Sequence, residues 1–151
     1  MAPGWFSFTS LSTLSEISRE LPVVFPVHPR TRSRIVDLGL EFPGESLHLV
    51  DPKPYLEFLA LQRRATVVIT DSGGIQEEST FLNVPCLTVR ENTERPVTVK
   101  LGTNQLVGRD VQLLRAEVLK ISAGQRKVTK PIPLWDGKAA TRIADALCGL
   151  A

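Results

Sequence analysis

The chain has 151 residues, enough for one domain with its own hydrophobic core. Hydrophobic residues make up 42% and charged residues 23% of it, which argues for a globular protein and against a disordered one. The net charge is only +2 and the basic residues are mostly scattered, so we expect neither nucleic acid nor a membrane surface as a partner. No apolar run approaches the roughly 18 residues that a membrane span needs.

Two cysteines, Cys86 and Cys148, lie far apart in the sequence. This favours free thiols over a disulfide and is typical of a reducing, cytoplasmic compartment. The N-terminal stretch Met1–Phe8 lacks the basic start of a signal peptide. We expect residues 1–10 to be a loose lead-in and residues 11–151 to form the domain. The histidines and cysteines do not have the spacing of a metal site, and no cofactor is predicted.

Short apolar runs alternate with amphipathic segments along the chain. Predicted strands cover residues 22–27, 47–50, 66–70, 86–89 and 104–107. Predicted helices end near residue 20 and then cover 30–38, 55–61, 75–82, a short turn from 96, 110–123 and 136–147. Thr13–Glu16 fits a capping box, and Gly39 and Pro43–Gly44 mark a turn. This alternation predicts an α/β fold, a Rossmann-like parallel sheet with helices on both faces.

Four polar segments each follow a predicted strand. They are His28, Asp51–Tyr55, Asp71–Gly74 and Arg90–Arg95. Ligands of parallel sheets bind beyond the carboxyl ends of the strands, so we expect these segments to meet at one edge.

The stretch Asp71–Glu78 follows a β-branched run and continues into a predicted helix. Strand, glycine turn and helix together direct free backbone N–H groups and the positive end of the helix dipole at an anion. Gly73 and Gly74 allow a ligand to come close and permit positive φ angles. The stretch therefore predicts a phosphate site formed by Ser72, Gly73 and Gly74.

The two acids of this stretch differ in predicted position. At helical spacing Glu77 points to solvent, whereas Glu78 lies near the carboxyl edge of the sheet. A carboxylate there can accept hydrogen bonds from both hydroxyls of a ribose, which completes a nucleoside diphosphate site. The alternative is a plain glycine turn followed by two solvated acids that the helix dipole favours.

Further motifs occur in a fixed order around this turn. They are Pro26–Pro29, Asp71–Glu78, Val84–Leu87, Arg90–Pro96, Gly102–Asn104, Leu106–Gly108 and Leu134–Ala140. Together they closely resemble the non-hydrolysing UDP-N-acetylglucosamine 2-epimerases, over roughly Leu21 to Leu150. The resemblance covers only the second half of such an enzyme. It implies the C-terminal half of a two-domain fold of the glycosyltransferase-B type, with the N-terminal domain absent here or supplied in cis or in trans.

The resemblance also implies a reaction and its residues. Such enzymes convert UDP-N-acetylglucosamine to UDP-N-acetylmannosamine by eliminating UDP and adding it back. It implies that His28 is catalytic, near the diphosphate, and that Arg95 joins the substrate-binding set of Ser72, Gly73, Gly74 and Glu78. In the family the carboxylates for the C2 side belong to the N-terminal domain. We therefore expect this chain to bind UDP or a UDP-N-acetylhexosamine but not to epimerise it alone.

Alternatives stay open at this point. His28 fits a structural role as a helix cap, and Arg95 a salt bridge to Glu91 or Glu94. Rival functions are a UDP-sugar binding module without chemistry, half of a split enzyme, or the nucleotide-binding half of a glycosyltransferase. In such folds the final helix reaches towards the other domain. Its predicted inward face consists of Ala140, Ile143, Ala144 and Leu147, and an exposed patch there would favour a homo-oligomer.

Overall fold

The computed structural model describes residues 8–37 and 46–149. The helices are α1 (Phe8–Ile17), α2 (Pro29–Asp37), α3 (Tyr55–Arg64), α4 (Gly73–Phe81), α5 (Pro96–Lys100), α6 (Val111–Ser122) and α7 (Ala139–Cys148). The strands are β1 (Val23–Pro26), β2 (Leu47–Val50), β3 (Val68–Thr70), β4 (Cys86–Thr88) and β5 (Asn104–Leu106). The predicted order of strands and helices is confirmed.

The centre of the fold is a parallel three-stranded sheet in the order β3-β4-β5. Every residue of β4 is buried, and side chains alternate between its two faces. Leu87 and Val89 pack with Leu114 and Val118 of α6 in the main hydrophobic cluster, to which α1 contributes Ile17. On the other face, β4 contacts α4 and β5 contacts α5. The predicted parallel sheet with helices on both faces is therefore confirmed.

A second ladder pairs β1 with β2 in parallel and packs against α2. The N–H groups of Val23 and Val27 donate to the β2 side, to carbonyls of Ser46 and Val50. Pro26 consequently faces the opposite edge of β1, where it has no N–H to offer a further strand. The described strands form two separate ladders, β1-β2 and β3-β4-β5.

The N-terminal helix differs from its prediction. α1 begins at Phe8, so residues 8–10 of the predicted lead-in are helical, whereas Met1–Ser7 lie outside the described residues. The capping box predicted at Thr13–Glu16 is wrong, because Thr13 is a buried residue inside α1. The turn predicted at residues 39–44 also lies outside the described residues.

Helix α7 contradicts the expectation of an inward apolar face. None of its residues is buried, and Ile143 and Leu147 are 60% and 64% exposed. The helix is amphipathic at the predicted spacing, but the structure places no described element over its apolar face. Asp136 lies just before it, accepts a hydrogen bond from the Lys138 N–H and pairs with Arg142.

Burial of Cys86 in β4 makes a testable prediction about pH. Burial raises the pKa of its thiol to about 11, although hydrogen bonds with Thr88 and Ser79 offset part of this effect. The unfolded chain, with its thiol pKa near 9, loses this proton first as pH rises. The free energy of unfolding should therefore fall by about 2 kcal/mol between pH 9 and 11 because of this group alone.

The control for this prediction is Cys86→Ala, measured by urea unfolding at each pH. Other groups titrate in the same window, and the difference between the two proteins removes their contribution. Equal slopes against pH for wild type and Cys86→Ala would show that the thiol ionises as freely in the folded state as in the unfolded one.

Candidate functional site

The glycine turn ends β3 and opens α4. Ser72 is the N-cap residue, yet its side chain caps nothing, and its own N–H donates to Thr70 Oγ1 at 3.0 Å. The first N–H bonded back into the turn is that of Gln76, to the Ser72 carbonyl at 3.2 Å. The N–H groups of residues 73–75 therefore have no acceptor within residues 8–37 and 46–149. They form a donor set at the positive end of the helix.

The two glycines do not use the positive φ angles that glycine permits. Gly73 and Gly74 are helical residues and neither has a positive φ. The reason is that the turn is made by Ser72, which is extended, and the glycines already belong to the first helical turn.

Packing does not require glycine at these positions either. A Cβ on Gly73 would lie 3.7 Å from Arg95 Cγ, an ordinary contact, and a Cβ on Gly74 would meet only Ser72 Oγ at 3.9 Å. A Cβ at either position would make only ordinary van der Waals contacts, and on the Gly73 side the space is bordered by the Arg95 stem and by Glu94 Oε2 at 3.8 Å.

Glu78 is held in a defined orientation by a buried neighbour. Its Oε2 accepts a hydrogen bond of 2.6 Å from Nε2 of Gln62, a residue of α3 that is 3% exposed. Gln62 Oε1 in turn accepts a long hydrogen bond of 3.4 Å from Ser79. A charge-assisted contact of this kind fixes the carboxylate and leaves its second oxygen available.

Arg95 contacts both the glycine turn and an acid of α4. Its Nε lies 3.0 Å from Glu77 Oε1, and the Glu77 side chain, predicted to point to solvent, is 42% exposed. The salt bridge of Arg95 is therefore to Glu77 and not to Glu91 or Glu94, the alternative that the sequence left open. Glu94 pairs with Arg90 instead. A hydrogen bond from its own main chain lowers the pKa of Glu94, and Arg90 lowers it further. The Arg95 side chain is 44% exposed and its stem lies over Gly73.

A closed ring of hydrogen bonds connects Arg95 to the core. Thr93 Oγ1 accepts from the Arg95 N–H at 2.9 Å and donates to Gln76 Oε1 at 2.5 Å. Asn104 Nδ2 donates to Gln76 Oε1 and to Thr98 Oγ1, at 3.0 Å each. Thr98 Oγ1 donates to the Arg95 carbonyl at 2.7 Å, which closes the ring.

The ring is anchored in the sheet. Gln76, Thr98 and Asn104 are fully buried, and Asn104 Oδ1 accepts from Thr88 of β4 at 2.6 Å. The other amide atom of Gln76, Nε2, is buried without a hydrogen-bond partner in the described part of the chain. An unpaired buried donor costs about 1–3 kcal/mol, so the fold tolerates this residue despite a penalty.

His28 and the segment after β2 do not join this group. His28 Nδ1 accepts the N–H of Arg30 at 3.3 Å, which matches its structural alternative at the start of α2. Arg32 pairs with Asp51 at 3.0 Å and Tyr55 is 61% exposed. Between residues that the structure describes, no hydrogen bond or ion pair joins His28 to the glycine turn. Of the four segments expected at one edge, the structure thus links Asp71–Gly74 with Arg90–Arg95.

Sequence patterns did not indicate the buried polar residues of the site. They are Gln62, Gln76, Thr98 and Asn104, which are all buried. The available signal was weak: a polar side chain at a helix or strand position that periodicity assigns to the core. Such residues are also common on surfaces, and only the tertiary contacts separate the two cases.

The described ranges contain neither a candidate membrane span nor a cluster of metal-ligand side chains. No helix there is long and apolar enough to cross a membrane. Nor do those residues include a group of three or more His, Cys, Asp or Glu side chains that could hold a metal ion.

Comparison with known proteins identifies relatives over nearly the whole chain. A curated UDP-N-acetylglucosamine 2-epimerase of Methanococcus maripaludis is 40% identical over 144 residues, which are 93% of this chain and 38% of the relative. The UDP-2,3-diacetamido-2,3-dideoxy-D-glucuronate 2-epimerase of Pseudomonas aeruginosa is 38% identical over 141 residues, 93% of this chain and 39% of that protein. The chain thus spans under two fifths of the length of these curated relatives.

Solved structures of similar proteins match the same part of the chain. The UDP-GlcNAc 2-epimerase of Methanocaldococcus jannaschii, in complex with UDP-GlcNAc and UDP, superposes with a TM-score of 0.76 at 35% identity, covering 93% of this chain and 39% of that one. The glycosyltransferase of kitacinnamycin is 21% identical and superposes with a TM-score of 0.54. The match covers 96% of this chain and 34% of that one, and it shows the shared α/β fold alone. The model of the family described as UDP-N-acetylglucosamine 2-epimerase matches residues 6–148. This chain belongs to the UDP-N-acetylglucosamine 2-epimerase family.

Proposed function

We propose that this chain binds the UDP part of a nucleotide sugar at its glycine turn. Ser72, Gly73 and Gly74 hold the diphosphate, Glu78 holds the ribose, and Arg95 balances the phosphate charge. The observation that carries the proposal is a pair of helical glycines without close contacts beside N–H groups that have no acceptor in the described chain. An anion in that space gains the N–H donors, the helix dipole and a nearby guanidinium together.

The ribose assignment rests on the geometry of Glu78. Gln62 holds one carboxylate oxygen at 2.6 Å, so the carboxylate is oriented before a ligand arrives. The other oxygen is available for hydroxyl groups, which are good donors to a carboxylate. Glu78 lies one helical turn after Gly74, within reach of a nucleotide whose phosphates lie at the turn.

We further propose that the complete enzyme inverts C2 of a UDP-linked N-acetylated sugar by eliminating UDP and adding it back. This chain would retain UDP and stabilise its leaving charge, with His28 assisting the departure. A second domain, in cis or in trans, would supply the C2 chemistry. The two curated relatives act on different sugars but share UDP and a 2-epimerase name, which supports UDP as the part recognised here. The buried free Cys86 suits a cytoplasmic enzyme.

The experiment is an isothermal titration of UDP into this chain and into Glu78→Ala. We expect wild type to bind one UDP and Glu78→Ala to bind about 10–100-fold more weakly, because hydrogen bonds to a charged group contribute about 1.5–3 kcal/mol. The matched control is Glu57→Ala, which removes an exposed acid of α3 and should leave the affinity unchanged. A folded wild-type chain that does not bind UDP, or a Glu78→Ala variant that binds like wild type, would contradict the proposal.

A further inference from the structure

The hydrogen bonds that close the ring around Arg95 have consistent donors and acceptors, and the Gln76 Nε2 atom, which has no partner in the described chain, takes no part in it. Both Asn104 Nδ2 protons are used, one on Gln76 and one on Thr98. Each threonine hydroxyl accepts one hydrogen bond and donates another. A network with consistent donor directions is rigid, and it strengthens when it is buried in a medium of low polarity.

The ring holds Arg95 by its main chain. The N–H of Arg95 donates to Thr93 Oγ1 and its carbonyl accepts from Thr98 Oγ1, so both sides of the residue are fixed to the core. Glu77 then fixes the Nε of the side chain at 3.0 Å. The remaining guanidinium N–H groups make one contact in the described chain, a long 3.5 Å bond from Nη1 to the Glu94 carbonyl.

We propose that Gln76 and Asn104, acting through Thr93 and Thr98, are positioning residues that hold the Arg95 guanidinium beside the phosphate site. The inference rests on the proposed function, because it needs a phosphate group as the ligand of Arg95. An arginine side chain loses much conformational freedom when it binds, and fixing its main chain and Nε beforehand reduces that loss. The ring therefore contributes to affinity without touching the ligand.

Thr93 is the best point for a test because it is only half-buried, whereas Gln76, Thr98 and Asn104 lie in the core. Thr93→Val keeps the shape and removes the hydroxyl, and Thr93→Ser restores the hydroxyl. We expect Thr93→Val to bind UDP about tenfold more weakly and Thr93→Ser to bind within twofold of wild type. Thr66→Val, an exposed threonine at the start of the β3 region, is the control and should bind like wild type.

The decisive comparison is made in an Arg95→Ala background. If the ring acts through Arg95, Thr93→Val should have no further effect on UDP affinity there. A general structural role would instead weaken binding equally in both backgrounds. Equal losses in the two backgrounds, or wild-type affinity in Thr93→Val, would overturn the proposal.

A second readout needs no ligand and separates this inference from the proposed function. The heteronuclear ¹H–¹⁵N NOE of the Arg95 amide in the free protein should match that of α4 and should fall clearly in Thr93→Val but not in Thr93→Ser. An Arg95 amide that is as mobile in wild type as in Thr93→Val would refute positioning by the ring. If wild type does not bind UDP, the proposed function fails and the NOE still decides whether the ring orders Arg95.

Discussion

Gly73→Ala is expected to leave the fold intact and to remove most of the affinity for UDP. The added Cβ meets no protein atom closer than 3.7 Å, and the residue is already helical. Alanine should therefore maintain the free energy of unfolding or raise it by up to about 1 kcal/mol, since it restricts the unfolded chain. The same methyl group occupies the space assigned to the diphosphate. We expect UDP to bind about 100-fold more weakly, a loss of about 2.7 kcal/mol.

The measurement combines thermal unfolding with UDP titration, applied to Gly73→Ala and Gly74→Ala in parallel. Neither glycine is needed for folding, so each alanine variant should keep or gain thermal stability while it loses affinity for UDP. A variant that was merely misfolded would lose both. Gly124→Ala serves as the control for an added methyl group: its Cβ would have open space, but its φ of +86° makes the change mildly destabilising without touching the site. UDP affinity that survives in both Gly73→Ala and Gly74→Ala would place the ligand elsewhere.

Gly102→Ala, unlike Gly73→Ala, should lower the free energy of unfolding strongly. A Cβ there would lie 2.3 Å from Thr80 Cγ2 and 2.8 Å from the Thr98 carbonyl oxygen, which belongs to the main chain and cannot move aside alone. Overpacking at such a contact costs about 3 kcal/mol. For a domain of this size that corresponds to a fall in Tm of roughly 6–12 °C.

Calorimetric melting of Gly102→Ala, with and without Thr80→Ala, checks this account. Thr80→Ala removes the closer of the two contacts and should recover part of the lost stability in the double variant, so the two changes should not be additive. A Gly102→Ala protein that melts within 2 °C of wild type would show that α4 and α5 separate easily at this point.

The sequence predicted the order of strands and helices well, because hydrophobic periodicity and turn residues determine secondary structure locally. β2 begins and ends at the predicted residues, and Asp110 caps α6 as expected, accepting from the N–H groups of Gln112 and Leu113. Helix α7 was predicted as an element but not in its packing. Periodicity identifies an apolar face, but it cannot say whether another element covers that face.

Local patterns predicted the segments of the candidate site but not the contacts between them, and the ligand roles of its residues stay predictions. The strand, glycine turn and helix follow from local patterns, and the structure places the Arg95 side chain beside Gly73. The Glu77 pair, the orientation of Glu78 by Gln62 and the ring through Asn104 depend on contacts between distant segments. Such contacts arise only when the strands have their register, so no local pattern contains them.

The central claim is that UDP binds at the glycine turn of α4, and chemical-shift mapping tests it most directly. ¹⁵N-labelled chain is titrated with UDP and the amide shifts are followed by NMR. We predict the largest changes at the amides of Gly73, Gly74 and Ile75, with smaller ones at Glu78 and Arg95. A cavity of about 270 Å³ lies beside Cys86 and is lined in part by Lys120 and Arg126, and the amides there should remain unperturbed. Saturable shifts centred on that cavity, or none at the glycine turn, would contradict the account.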